Sequence, residues 1–512
     1  MKDFSRRMRN IEQRNISNTR ISPDGLSIPT RSTGDRHFGD FQTPPELVAA
    51  VISCVKHVRR NWSRALEPTC GSGQFIHGLI HADLNIREIH GIELQDSHFA
   101  NAQKIANENP NVSVRQGSLF DIDLRKEWHW KEDGPLLVIG NPPWVTNSEL
   151  SALGKGNLPE KSNFKGLRGL DALTGESNFD IAEYIWLKLI RELADQRPTI
   201  ALLCKTSVAR TVLKYAAQAE LPISNAQIRR IDAKKWFGAA VDACLFIVEV
   251  GQFTTNYDAL VYESLTASNP ERVIGVRDGE LISDIQKYNS IFMVGSGLSL
   301  TWRQGVKHDA AVVMELFCDD EGKLQNKLGA TVEVEPEYVY PLMKSSDLFN
   351  GNECPRRFVI ITQKSLRDDT SKLEQDAPKL WDYLNDHIDY FEQRGSSIYK
   401  SAPKFSIFGI GDYSFAQYKV AISGMYKTPR FQSVRPFEGR PVMFDDTCYF
   451  SACRSGEEAR ALADLLNSPD CLNQIQSMAF TDAKRPITKK LLQRLNTPAP
   501  TQHKLPLSHE PT

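Results

Sequence analysis

From about residue 45 the apolar positions alternate between a helical and a strand rhythm. Leu47, Val48, Val51, Ile52 and Val55 recur at helical spacing behind two prolines, which predicts an amphipathic helix over PPELVAAVISCVKHV. RALEPTCGSGQF reads as a short strand, a glycine loop and the entry to a helix, and IREIHGIELQ as a second strand ending at Glu93. VSVRQGSLF is a third strand, and PLLVIG a fourth, apolar throughout as in strands buried on both faces of a parallel sheet. FDIAEYIWLKLIREL is a long helix, and TIALLCKTS and DACLFIVEVG are further strands. This alternation predicts an α/β, doubly wound domain over residues 41–252.

In such sheets ligands bind beyond the carboxyl ends of the strands. The loops EPTCGSG, IELQ and NPPW all fall there. In EPTCGSGQF, Gly71 and Gly73 permit positive φ and close backbone approach to a ligand. Glu93, twenty residues after Gly73, is placed to bind ribose hydroxyls. A dinucleotide fingerprint calls for a third glycine where Ile76 stands, and Glu67 and Pro68 precede the loop. A carboxylate there repels a pyrophosphate and suits the cationic amino group and sulfonium of S-adenosyl-L-methionine. NPPW ends the fourth strand, because neither proline has an N–H for the ladder.

These segments resemble, in order and spacing, the motifs of the gamma group of S-adenosylmethionine-dependent adenine-N6 DNA methyltransferases of the type II restriction-modification kind. EPTCGSGQF looks like their motif I and NPPW like motif IV, while FQTPPELVAAVI resembles the motif that precedes motif I. The resemblance implies a Rossmann-like catalytic domain and places Thr43 near the methionine carboxylate. It puts Glu67, Pro68, Gly71 and Gly73 around the donor, Glu93 and Leu94 (in GIEL) on the ribose, and Ser118 and Leu119 (in QGSLF) on the adenine of the donor. The family often has an acid where Ser118 stands; a hydroxyl still bonds an amino group, and Asp121 is close by.

The exocyclic amine of adenine is a poor nucleophile, since its lone pair is delocalised into the ring. Two acceptors that draw it toward sp³ geometry also stabilise the positive charge developing on nitrogen. Asn141 supplies a side-chain acceptor and Pro142 a carbonyl, with Pro142 and Pro143 fixing both in place. Trp144 is suited to stack on the base, worth roughly 1–3 kcal/mol. A target inside a duplex has to be flipped out, and a second aromatic wall then helps. KKWFGAAVDACLFIVEV resembles motif VIII, with Phe237 as that wall and Trp236 beside it. Similar loops occur in enzymes that methylate a protein glutamine amide or guanine N2 of RNA. Cytosine-N4 enzymes usually start this motif with serine, so Asn141 favours adenine.

Residues 253–330 read as a connecting segment, and LTWRQGVKHD within it resembles a stretch linking catalytic and recognition domains in larger gamma enzymes. His308 stands alone, and Glu333 and Lys344 make no metal-nuclease site, so no metal is expected. From 331 to 500 short strands and turns predict a C-terminal α+β, β-rich domain that resembles a DNA target-recognition domain in texture. DAPKLWDYLNDHIDYFEQR is its helix, with Leu380, Leu384, Ile388 and Phe391 on one face. The following stretch interleaves Lys400, Lys404, Lys419, Lys427, Arg430, Arg435 and Arg440 with Tyr399, Phe405, Tyr413, Tyr418 and Tyr426, a pattern suited to phosphates and base edges. TDAKRPITKKLLQR adds a second basic run.

The 512 residues, 41% hydrophobic and 24% charged, exceed what one core serves, so two or more large domains are expected. The formal net charge of -1 neither favours nor excludes nucleic acid, because a basic face can coexist with a neutral total. No apolar run reaches the roughly 20 residues that span a bilayer, and MKDFSRRMRNIEQRN has no apolar core of a secretory signal. Residues 1–40 read as an N-terminal arm and 501–512 as a tail. Nine scattered cysteines without a C-x-x-C pair read as reduced thiols of a cytoplasmic protein. The expected partner is double-stranded DNA, with a cognate restriction endonuclease encoded separately and no membrane. The competing readings are a protein-glutamine or RNA guanine-N2 methyltransferase and a non-catalytic DNA-specificity subunit.

Overall fold

The computed structural model describes residues 42–58, 61–145, 180–251, 257–291, 300–319 and 321–495. The expected arm at 1–40 and tail at 501–512 lie outside the described residues. The chain divides into two compact units, Thr43–Pro142 with Ala182–Thr512, and Met1–Gln42 with Pro143–Ile181.

The larger unit is built on a ten-stranded sheet. The amphipathic helix α1 (Pro45–Val58) buries Leu47, Val48, Val51, Ile52 and Val55, the residues its periodicity selects. The parallel strands β1 (Arg64–Glu67), β2 (Glu88–Glu93), β3 (Val112–Gln116), β4 (Leu136–Gly140) and β5 (Thr199–Lys205) follow. Helix α2 (Gln74–Ile80) joins β1 to β2, and α3 (Asp96–Glu108) joins β2 to β3. Helices α4 (Ile181–Glu192) and α5 (Thr206–Gln218) flank β5 in the chain. Every residue of β4 is buried, as its unbroken apolar run requires.

Beyond β5 the sheet departs from a purely parallel one. Strand β6 (Ile223–Ile231) leads through the short helix α6 (Ala233–Phe237) into β7 (Ala243–Val250), which inserts between β5 and β6 antiparallel to both. Strands β8 (Ala259–Tyr262), β9 (Arg272–Arg277) and β10 (Glu280–Ile282) extend the same sheet past residue 252. The order is β10-β9-β8-β6-β7-β5-β4-β1-β2-β3. The chain reverses direction of travel across the sheet between β1 and β4, the switch point beside which ligands bind in sheets of this kind.

The C-terminal part is β-rich with peripheral helices. A five-stranded sheet comprises β12 (Glu315–Cys318), β13 (Leu324–Gln325), β14 (Val339–Met343), β15 (Arg357–Ile360) and β18 (Met443–Phe444). A four-stranded sheet comprises β11 (Arg303–Gln304), β16 (Tyr418–Ser423), β17 (Phe431–Val434) and β19 (Cys448–Cys453). Met343 and Phe444 of the first share an apolar layer with Ala421, Val434 and Phe450 of the second. The segment 253–330, expected as a connector, is thus divided: β8–β10 belong to the large sheet and β11–β13 to the two C-terminal ones.

Helix α7 (Pro378–Asp386) lays Leu380 and Leu384 into the core of the five-stranded sheet. The helical pattern continues past it, yet the backbone breaks at His387, and α8 (Ile388–Glu392) carries Phe391 into the same core. Helices α9 (Gly456–Leu466) and α10 (Pro469–Met478) cover the four-stranded sheet with Ala459, Ala463, Leu466 and Ile475. No helix among the described residues is long and apolar enough to cross a membrane.

Candidate active site at the carboxyl edge of the sheet

The glycine loop is tied to the tip of β2 by one carboxylate. Glu93 accepts the Gly71 amide at 2.8 Å through Oε2 and the Gln95 amide at 2.7 Å through Oε1. It therefore fixes both the loop after β1 and the start of α3. Each carboxylate oxygen has a further acceptor position, which suits a vicinal diol. Gly73 caps α2 at φ 84°, and a Cβ there would lie 2.9 Å from Ile105 Cδ1, so the loop passes close over α3.

Glu67 is almost fully buried and accepts the Ile76 amide at 3.2 Å. Burial and then the neighbouring charge of Glu93 push its carboxyl well above the usual range, against the opposing pull of the Ile76 N–H. A cation near this pair would reverse that shift. Pro68 is buried behind the loop. The loop after β3 hangs from the same point, since the Gly117 amide donates to Glu93 O at 2.8 Å. Ser118 Oγ accepts the Phe120 amide at 3.2 Å, Leu119 is buried, and Leu94 is 42% exposed. The loops carrying the residues expected at the donor are thus tied together at Glu93, two amides on its carboxylate and one on its main-chain carbonyl.

Strand β4 delivers Asn141 to the adjacent position. Gly140 lacks the Cβ that would sit 3.3 Å from Glu67 Cγ, which lets β4 close on the end of β1. Asn141 donates Nδ2 to Thr43 Oγ1 at 3.2 Å. Thr43 is buried just before α1, so the residue expected at the methionine carboxylate sits against the amide of the NPPW loop. Spacing could not reveal this contact, because 98 residues separate the two. Pro142 is buried and Pro143 partly so.

The two aromatic residues expected as walls are both covered. Trp144 is 5% exposed and Phe237 2%, so stacking on a base requires each ring to be uncovered. Phe237 closes α6, whose first turn is capped by Asp232 Oδ1 accepting the Lys235 amide at 2.9 Å and whose end is turned by Gly238. In the other unit, Val145 O accepts the Ile181 amide at 3.0 Å.

The C-terminal cations separate into two kinds. Lys400, Lys404, Lys427, Arg430 and Arg435 are exposed. Lys404 donates to Asn385 Oδ1 at 2.6 Å, Arg430 to Phe349 O at 3.0 Å, and Arg435 lies 3.6 Å from Glu353. Lys419, expected among these phosphate-binding cations, is instead 1% exposed. Its Nζ donates to Ser414 O at 2.7 Å and Val442 O at 2.5 Å between the rings of Phe444 and Phe450. A phosphate cannot reach it, and burial lowers its ammonium to about 7.

His308 is likewise structural: it faces Glu315, whose carboxylate is held by Lys344 at 2.6 Å and Lys327 at 2.8 Å. A cleft of about 350 Å³, barely legible in the sequence, is lined by Arg210 and Lys214 of α5, Glu280 of β10, and Arg485, Lys490 and Arg494. Its one legible signal is the basic run that supplies the last three of these cations. Two of these cations are ion-paired, Arg210 to Asp482 at 2.5 Å and Lys214 to Glu280 at 2.8 Å.

Known proteins resemble this chain in sequence and in fold. Over 470 residues, 90% of this chain and 96% of the other, the sequence is 36% identical to the Type II methyltransferase M.NspV of Nostoc sp.. The fold is similar to that of the Type IIL restriction-modification enzyme MmeI solved in complex with DNA, with a TM-score of 0.50, 14% identity and 86% of this chain covered. This chain spans 63% of the length of that one. The Type I restriction enzyme EcoKI M protein aligns over 44% of this chain and 48% of its own, with a TM-score of 0.31 and 14% identity. No protein-family model matches the chain. With a Rossmann-like sheet and a relative this similar along nearly its whole length, the chain belongs to the Type II methyltransferases.

Proposed function

We propose that this chain transfers a methyl group to N6 of a flipped-out adenine at a specific site in double-stranded DNA, protecting that site in a restriction-modification or defence system. The donor is S-adenosyl-L-methionine, which when bound supplies an electrophilic methyl on a sulfonium. Glu93 accepts the ribose hydroxyls, the Gly71–Gly73 loop gives close backbone approach, Ser118 and Leu119 border the adenine, and Glu67 offsets positive charge.

The observation that carries the reading is the amide of Asn141, held by Thr43 at the carboxyl end of β4 beside the donor loops. Asn141 Oδ1 and the Pro142 carbonyl accept from the adenine amine, while Trp144 and Phe237, uncovered as the base enters, stack on it. No base is required before attack, because the proton leaves after nitrogen becomes cationic. We assign recognition to residues 331–500 together with β11–β13, with Lys400, Lys404, Lys427, Arg430 and Arg435 on phosphates. The setting is the cytoplasm, and a cognate endonuclease is a separate protein.

The test is Asn141→Ala. Methylation of duplex DNA, read by modification-sensitive sequencing, is abolished while calorimetry still detects donor binding. Retained methylation removes Asn141 from the reaction. A wild-type product in RNA, or in a protein glutamine amide, replaces the proposed substrate.

A further inference from the structure

We infer that Thr43 is a positioning residue for Asn141, fixing which end of the catalytic amide faces the nucleophile; this rests on the proposed role of Asn141. The two ends of an asparagine amide are nearly equal in size and opposite in hydrogen-bonding sense. With Oδ1 toward the amine the group accepts a proton. With Nδ2 there it opposes one N–H with another, and the developing charge on nitrogen loses its acceptor. The choice therefore has to be made by a third group.

Thr43 Oγ1 accepts from Asn141 Nδ2 at 3.2 Å, so the amino end of the amide is turned toward α1 and the carbonyl end away from it. The support behind that hydroxyl is stiff. Thr43 is β-branched and buried, which restricts its side-chain rotation. Pro44 follows and limits the Thr43 backbone to extended conformations. Pro44 is itself anchored, since its carbonyl accepts the Leu47 and Val48 amides at 3.0 Å each. A hydroxyl donates as well as accepts, so alone it would hold either end of the amide; with its single proton given to the methionine carboxylate expected beside Thr43, it can only accept, and Nδ2 is then the end it holds. The same side chain can contact the methyl donor and orient the amide, and these roles separate in kinetics.

The test compares Thr43→Val, Thr43→Ala and Thr43→Ser with the wild type, each first shown to keep the wild-type melting temperature. Single-turnover methylation is measured with donor and duplex DNA both saturating, and donor affinity by calorimetry without DNA. Val and Ala lower the rate constant about 10- to 100-fold, as expected for a misoriented reacting group. Ser, which restores the hydroxyl, stays within about threefold of wild type. Unchanged rates at saturation in Val and Ala, a loss confined to donor affinity, or a Ser variant as slow as Val each overturn the inference. If the wild type methylates an amine other than adenine, the proposed substrate fails, and the same variants are read on that amine. If the wild type methylates adenine and the Val variant matches it, only the positioning role fails.

Discussion

Replacing Lys419 by methionine probes what the C-terminal domain does with a cation in its interior. The side chain is 1% exposed, and burial lowers its ammonium from the ordinary 10.5 to about 7. Between those two values the unfolded chain holds a proton that the folded chain has released, so stability rises with pH across that window and is flat below it. The slope for one such group is about 1.4 kcal/mol per pH unit, or about 2–3 kcal/mol between roughly pH 7 and pH 9. Methionine fills similar volume and does not titrate, but it leaves the carbonyls of Ser414 and Val442 without their donor. The absolute difference between the two proteins mixes these effects; its pH dependence isolates the proton. Urea unfolding of wild type and Lys419→Met across that range should show the stability difference shifting toward wild type as pH rises. A pH-independent difference refutes the burial of a titrating ammonium. The same variant should bind duplex DNA as the wild type does, with an unchanged salt slope; a slope reduced by about one would return Lys419 to the phosphates.

Gly73→Ala places a side chain at φ 84° and 2.9 Å from Ile105 Cδ1, so stability should fall by about 1–3 kcal/mol, with donor affinity weakened in calorimetry. Lys427→Ala and Arg435→Ala, both at exposed positions, should weaken binding to all duplex sequences alike and reduce the salt slope by about one each, measured by titration across ionic strengths.

The catalytic half was legible where the pattern reports burial directly. The five apolar positions of α1 and the unbroken run of β4 face the core as their periods require. Strand β6 escaped notice because ISNAQIRRI alternates polar residues and carries a register shift between Ser224 and Gln227. The reversal of β7 was not legible at all, since periodicity does not encode strand direction. Lys419 misled because a lysine among tyrosines and arginines looks like a surface cation, whereas β16 turns that position inward. At the candidate site, residue type and spacing single out the glycine loop, Glu93 and Asn141, and the structure places them at one edge of the sheet. The contact that orients Asn141 joins segments far apart in the chain, and only folding brings them together.

The division of the stretch 253–330 between the two halves sets where the C-terminal half can be exchanged between relatives. A chimera joined at residue 331 would leave β11 on the host side, although β11 pairs with β19 through Arg303 and Phe450. It would also detach β12 and β13 from β15, cutting the five-stranded sheet inside its ladder. Both sheets would then be assembled from strands of two parents, with mismatched edges open to pairing with other molecules. A junction placed after β10 and before β11 carries every strand of the two C-terminal sheets together, and is where modular transfer of this half should begin.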